Sequence, residues 1–208
     1  MSIFDLFRKK EKQEQPSIEK VRPTEEQQPV TQQRDYSNII ELAAIITNGD
    51  RQAISDMELL AQDTNRFYIK YKLWCDEMLE GECKKQDIFF IFAYWLTGYS
   101  VQDFENPNGF GWYIDWKEET SEILWGLKEP IEKLGYPLSL DDIPFTGEEF
   151  TDEALEMINT HFMKKGYHLI FQDTDSDCYH LFIVKSGDYD KLVKLGSEID
   201  IRFSNRFR

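Results

Sequence analysis

Residues 166–203 read GYHLIFQDTDSDCYHLFIVKSGDYDKLVKLGSEIDIRF, and this stretch decides the fold. Tyr167 to Gln172 and Tyr179 to Val184 are rich in aromatic and branched residues. They flank the turn-forming run Asp173-Thr-Asp-Ser-Asp177, so they predict the two strands of a hairpin. Gly187 to Leu195 reads as a short helix. Ile199, Ile201 and Phe203 then alternate with Asp200 and Arg202, the period of two that marks a half-buried strand. Hairpin, helix and strand predict a small C-terminal sheet with helices on one face, in the α+β class.

Upstream of the hairpin the periodicity is helical. Ile39, Ile40, Ala43 and Ile46 follow Ser37, a candidate cap, and end at Asn48-Gly49. Asp50 caps a second stripe of Ala53, Ile54, Met57, Leu60 and Ala61. Phe67, Tyr71, Trp74 and Met78 predict one further helix reaching Gly81. The run Ile88 to Leu96 is apolar throughout, so periodicity does not separate helix from strand; the helices before it favour a fourth helix. Asn106-Pro-Asn-Gly109 is a turn, and Trp112 to Trp116 reads as a short strand or ordered loop. Glu118 to Leu134 is amphipathic, with Pro130 expected to kink or divide it. Thr151 is the expected cap of a helix through Ala154, Leu155, Ile158 and Phe162.

The chain ahead of this is different. Residues 11–34 are rich in Gln, Glu and Pro with few large apolar side chains, which predicts a flexible linker. Residues 1–12 form a short amphipathic patch with a basic end, Arg8-Lys9-Lys10. A disordered tail over 1–34 and a single globular domain over 35–208 are therefore expected. Ile88 to Leu96 spans nine residues against the ~20 a membrane helix needs, and no secretory leader is legible. Cys75, Cys83 and Cys178 are too few and too irregular for a disulfide framework. A cytoplasmic protein without a cofactor is the expectation.

Charge narrows the partners. Residues 1–34 hold seven Lys/Arg and six Asp/Glu, whereas residues 35–208 hold 17 and 33, a net −16. Such a surface repels nucleic-acid phosphates and anionic lipid, so nucleic-acid binding and stable membrane insertion are not expected. A basic protein is the natural partner.

Two blocks carry a resemblance: Tyr113-Ile-Asp-Trp-Lys-Glu118, and Gly166 through Val184. They resemble an uncharacterised bacterial domain family, a domain of unknown function. The likeness covers about the last hundred residues and leaves the first helices and the tail outside. It implies a bacterial intracellular protein and transfers no catalytic residues.

Candidate sites follow from residue type. Asp173, Asp175 and Asp177 open like a calcium loop, but Cys178 and Val184 stand where an EF-hand needs Gly and Glu. A hairpin turn held by Asp and Ser side chains is the simpler reading. If even-numbered residues pair with even across the hairpin, His168, Cys178 and His180 share one face, with Tyr167, Leu169, Phe171, Tyr179, Leu181 and Ile183 towards the core. That face is the candidate for zinc or for a Cys–His nucleophile. Against it, no C-x-x-C or H-x-x-x-H supplies further ligands, and Asp177 disfavours a thiolate. Asp115 with Trp112 and Trp116 is a candidate ligand groove. Glu118, Glu119 and Glu122 fit the first turn of a helix better than an acid–base pair. No phosphate loop or hydrolase signature occurs.

The favoured function is a non-enzymatic, acidic protein-interaction domain, in its most specific form an immunity-type protein neutralising a basic toxin. The alternative is a small hydrolase or metal-dependent enzyme working from His168, Cys178 and His180.

Overall fold

A computed structural model describes residues 35–79, 83–84, 87–101, 104–174 and 176–207; the tail expected over 1–34 lies outside them. The first helices form where apolar spacing predicts them, as α1 (Asn38–Ile46) and α2 (Arg51–Gln62). Asp50 caps α2, its carboxylate accepting the Ala53 N–H at 2.9 Å. Ser37 does not use its hydroxyl as a cap; its N–H donates to the Asp35 side chain at 2.9 Å. The chain reverses between the two helices through Asn48 and Gly49, at φ 52° and 86°, the left-handed region that Asn and Gly tolerate.

The single helix expected through Phe67–Met78 is two, α3 (Thr64–Lys70) and α4 (Lys72–Leu79). The break falls at Tyr71, whose hydroxyl turns inward to Asp56 at 2.5 Å. The apolar run Ile88–Leu96 is a helix, α5. Six of its residues are buried around its circumference, which is why no amphipathic stripe was legible.

Trp112 to Trp116 supplies a strand, β1 (Gly111–Asp115). Helix α6 (Thr120–Leu134) runs unbroken through Pro130. Buried Ile123, Leu127, Ile131 and Leu134 along its inner face hold it across the bond that proline forfeits. Helix α7 (Thr151–Met163) begins one residue earlier than expected: Phe150 is the cap, and its N–H is accepted by Glu153 at 3.1 Å. The Thr151 hydroxyl instead donates to the Glu118 carbonyl at 3.0 Å, tying α7 to the chain entering α6.

The C-terminal elements are β2 (Tyr167–Asp173), β3 (Cys178–Lys185), α8 (Tyr189–Ser197) and β4 (Arg202–Ser204). Ile199 and Ile201, expected within the last strand, are buried in the connection before β4. The sheet is antiparallel throughout in the order β1-β3-β2-β4, so the hairpin is its centre. The architecture is α+β, N-terminal helices packed with a C-terminal sheet.

The sheet has helices on both faces, not one. Register pairs Gln172 with His180 and Tyr113 with His180, so even residues of β2 and β3 share a face. The odd face meets α6 and α7: Trp112, level with Leu181, packs onto Gly126, where a Cβ would fall 2.0 Å from the indole. The even face meets α5 and α8, through Tyr94 against His180, Phe92 against Phe203 and Tyr189 against His168. Accordingly Leu181, Phe182, Ile183 and Val184 are all fully buried. One continuous core from Ile39 to Phe207 results.

Candidate functional site

Where β1 ends, Asp115 accepts the Lys117 N–H at 2.9 Å and its own carbonyl accepts Glu118 N–H at 3.2 Å. This tight turn swings Trp116 out of the sheet. Its backbone N–H still bonds the Asp177 carbonyl at 3.2 Å, so the indole stands on a fixed base. Phe150, the α7 cap, projects from the other side. Between them lies a groove of about 640 Å³, floored by Tyr179 and flanked by Glu118, Glu119, Glu149 and Asp152. Trp116 is 50% exposed and Phe150 75%, whereas most other rings among the described residues are buried or half-buried. Thr146 and Gly147 N–H groups and the Thr146 hydroxyl hold the Glu149 carboxylate, which pushes its pKa down to about 2. Lys117 places its ammonium 4.3 Å from the Trp116 ring centre, a cation–π contact.

Of the three residues expected here, Trp116 lines the groove and Asp115 builds the turn that presents it. Trp112 does neither. It is half-buried beneath α6, edge-on to Trp125 at 5.3 Å.

The hairpin face opposite Leu169 and Leu181, expected to point away from the core, is itself covered. His180 is completely buried, between Tyr94 at 4.3 Å and Tyr113 at 5.2 Å. Burial pushes its pKa down to about 4, so the imidazole is neutral at pH 7. Its Nε2 faces the Cys178 sulfur at 4.0 Å, and its Nδ1 has no hydrogen-bond partner among the described residues. Directly across the strands, Gln172 donates to the Phe89 carbonyl at 3.1 Å while its own Oε1 is likewise unpartnered. Cys178 is half-buried, with Ser176 Oγ 3.0 Å from its sulfur.

His168 does not join them. It stands four residues before Gln172 on β2, about 13 Å along the strand. There it lies against Tyr189 at 4.8 Å and bonds Asn205 at 3.2 Å. No cluster of three or more His, Cys, Asp or Glu side chains able to hold a metal occurs among the described residues. A hydrolytic Cys–His pair also needs an acceptor orienting the second ring nitrogen; at His180 that nitrogen is the unpartnered one. In the turn, Asp173 pairs with Arg202 at 3.4 Å, Asp177 is exposed, and Asp175 lies outside the described residues.

A family model described as a domain of unknown function, DUF6630, matches residues 38–207. The chain belongs to this family. The match includes the first helices, which the two resembling blocks left outside. Those helices are specified by apolar spacing that many residues satisfy, so they present no short diagnostic block. No curated protein and no solved structure matches the chain.

Within the DUF6630 domain one polar centre went unread in the sequence. Asp56 on α2 is completely buried and accepts four donors. These are Gln52 and Lys70 at 2.9 Å, Tyr71 at 2.5 Å and Trp95 at 3.3 Å. Burial, then the bond to Asp56, raises the Tyr71 pKa, so that hydroxyl stays protonated and donating. The signal was present: Asp56 occupies an inward position beside Ala53, Met57 and Leu60 on an otherwise apolar stripe. Among the described residues no helix is long and apolar enough to cross a membrane.

Proposed function

We propose that this DUF6630 domain is a protein-interaction module that holds a basic segment of its partner in the groove between Trp116 and Phe150. The observation carrying this reading is two exposed rings set among four carboxylates. Rings supply a flat apolar platform and bind cations on their faces, and carboxylates pair the same cations at the rim. Lys117 already occupies one face of Trp116 in the manner a partner's Lys or Arg would. The −16 charge of residues 35–208 adds long-range attraction for a basic protein. A basic toxin neutralised by an immunity-type protein is the specific form this charge favours.

The test is affinity capture from the native cell, followed by rate measurements with the purified partner. Association is expected to slow several-fold between ~0.15 M salt, where the Debye length is about 8 Å, and ~0.5 M. Trp116→Ala with Phe150→Ala should chiefly speed dissociation. A neutral or acidic partner with salt-independent association, or an affinity unchanged in the double variant, refutes the groove as the binding site.

A further inference from the structure

Cys178 differs from the other two cysteines in its exposure and in the polar groups around its sulfur. Cys75 and Cys83 are buried, and desolvation pushes both thiols up to about 12. Cys178 reaches the surface at the start of β3. Its sulfur lies within a set of polar groups: Ser176 Oγ at 3.0 Å, His180 Nε2 at 4.0 Å and the Tyr113 hydroxyl. Burial first, then the nearby Cys178, raises the Tyr113 pKa, so this hydroxyl keeps its proton. The buried His180 ring is neutral, and its Nε2 side is the one turned to the sulfur. Hydroxyl, phenol and imidazole can therefore all donate towards one accessible sulfur, or towards an oxygen placed on it.

Such an arrangement stabilises negative charge that develops during reaction at the sulfur. It also selects the reagent. Asp115 is level with Cys178 across the β1–β3 ladder and Asp177 precedes it, so anionic oxidants are repelled. A neutral oxidant is not.

We propose that Cys178 is a modification site at which hydrogen peroxide forms a sulfenic acid, retained by Ser176, Tyr113 and His180. The sulfur attacks one peroxide oxygen; the S–O bond forms as the O–O bond breaks. The departing oxygen leaves as water, taking up the proton released by the thiol. Sulfur loses two electrons and peroxide gains them, so Cys–SH and H2O2 become Cys–SOH and H2O. The donors lower the barrier by bonding the departing oxygen, and they then hold the new S–OH.

The experiment treats the reduced full-length protein with hydrogen peroxide, traps with dimedone and locates the adduct by peptide mass spectrometry. Adduct is expected on Cys178 and not on Cys75 or Cys83. It should form about tenfold faster than on a synthetic peptide of residues 174–182, which keeps the sulfur and Asp177 without Tyr113 or the folded ring contacts. Tyr113→Phe retains the ring and should slow the reaction by roughly tenfold, with melting temperature confirming the fold. Glutathione disulfide, an anion, should modify Cys178 no faster than it modifies the peptide. Equal peroxide rates in protein and peptide, no effect of Tyr113→Phe, or faster modification by glutathione disulfide in the folded protein would each overturn the proposal.

Discussion

Asp56 and His180 are both fully buried, and both touch α5 through neighbouring rings, Trp95 and Tyr94 respectively. Asp56 accepts donors from α2, α3, α5 and the α3–α4 junction, three on one carboxylate oxygen and one on the other. His180 has a sulfur at 4.0 Å on one nitrogen and no hydrogen-bond partner among the described residues on the other. A saturated buried group fixes the relative positions of the elements that meet there. An unsaturated one costs stability where it stands, and native folds keep few of them. The Trp95 side of α5 therefore reads as scaffold, and the Tyr94 side as a place where chemistry is kept available.

The comparison breaks most visibly at Asp56. Asp56→Ala removes the acceptor from buried Trp95, half-buried Tyr71 and exposed Gln52 and Lys70, and leaves Lys70 without its ion pair. A loss of about 3–5 kcal/mol is expected in denaturant unfolding, because the Trp95 N–H and the Tyr71 hydroxyl are left without an acceptor. A loss below about 1 kcal/mol would show that Asp56 does not hold the helices together.

Next in size is an acid dependence that belongs to the His180 side. Its folded pKa of about 4 lies below the ordinary value of 6.5, so the unfolded chain binds the extra proton first. Stability is therefore complete above pH 6.5 and falls as pH drops towards 4, by about 3 kcal/mol over the window. His168, whose pKa burial also lowers, acts in the same direction. Unfolding midpoints measured from pH 7 to 4.5 should show this slope in the parent and a markedly flatter one in His180→Phe. Identical slopes would mean that His180 is not shielded from water.

Paired tyrosine substitutions sharpen the contrast further. Tyr71→Phe deletes a hydrogen bond to a carboxylate and should cost about 2 kcal/mol. Tyr113→Phe deletes a hydroxyl that faces only neutral groups and should cost less than about 1 kcal/mol. If the second substitution proves the more damaging, the division between scaffold and reactive side is drawn in the wrong place.

Much of this scaffold was legible, because α1, α2 and the hairpin are written in simple periods. Trp112 and Trp116 read alike beside Asp115, and no local pattern separates the ring that is exposed from the one that is covered. What escaped was set by distant partners. The break at Tyr71 depends on Asp56, fifteen residues back. Trp112 is buried because α6 offers Gly126, which a local pattern does not announce. The burial of His180 had a signal that alternation masked: Leu181 to Val184 is apolar without interruption, as a strand covered on both faces should be. Reading that run as two-sided would have put the even face, with His180, under helices.

The strand order carries a consequence for how the chain survives its own synthesis. Cys178–Lys185 is the longest strand of the sheet and is mostly apolar on both sides, the composition of a segment that stacks with copies of itself. In the finished fold it has no open border: β2 lies along one side and β1 along the other. The strands left at the margins are five and three residues long, too short to template a neighbour. Because Gly111–Asp115 is translated well before Cys178–Lys185, its pairing segment has already been made when the hazardous strand emerges from the ribosome. A fragment beginning after Asp115 would carry that strand with one border bare, and aggregation during expression is its expected fate.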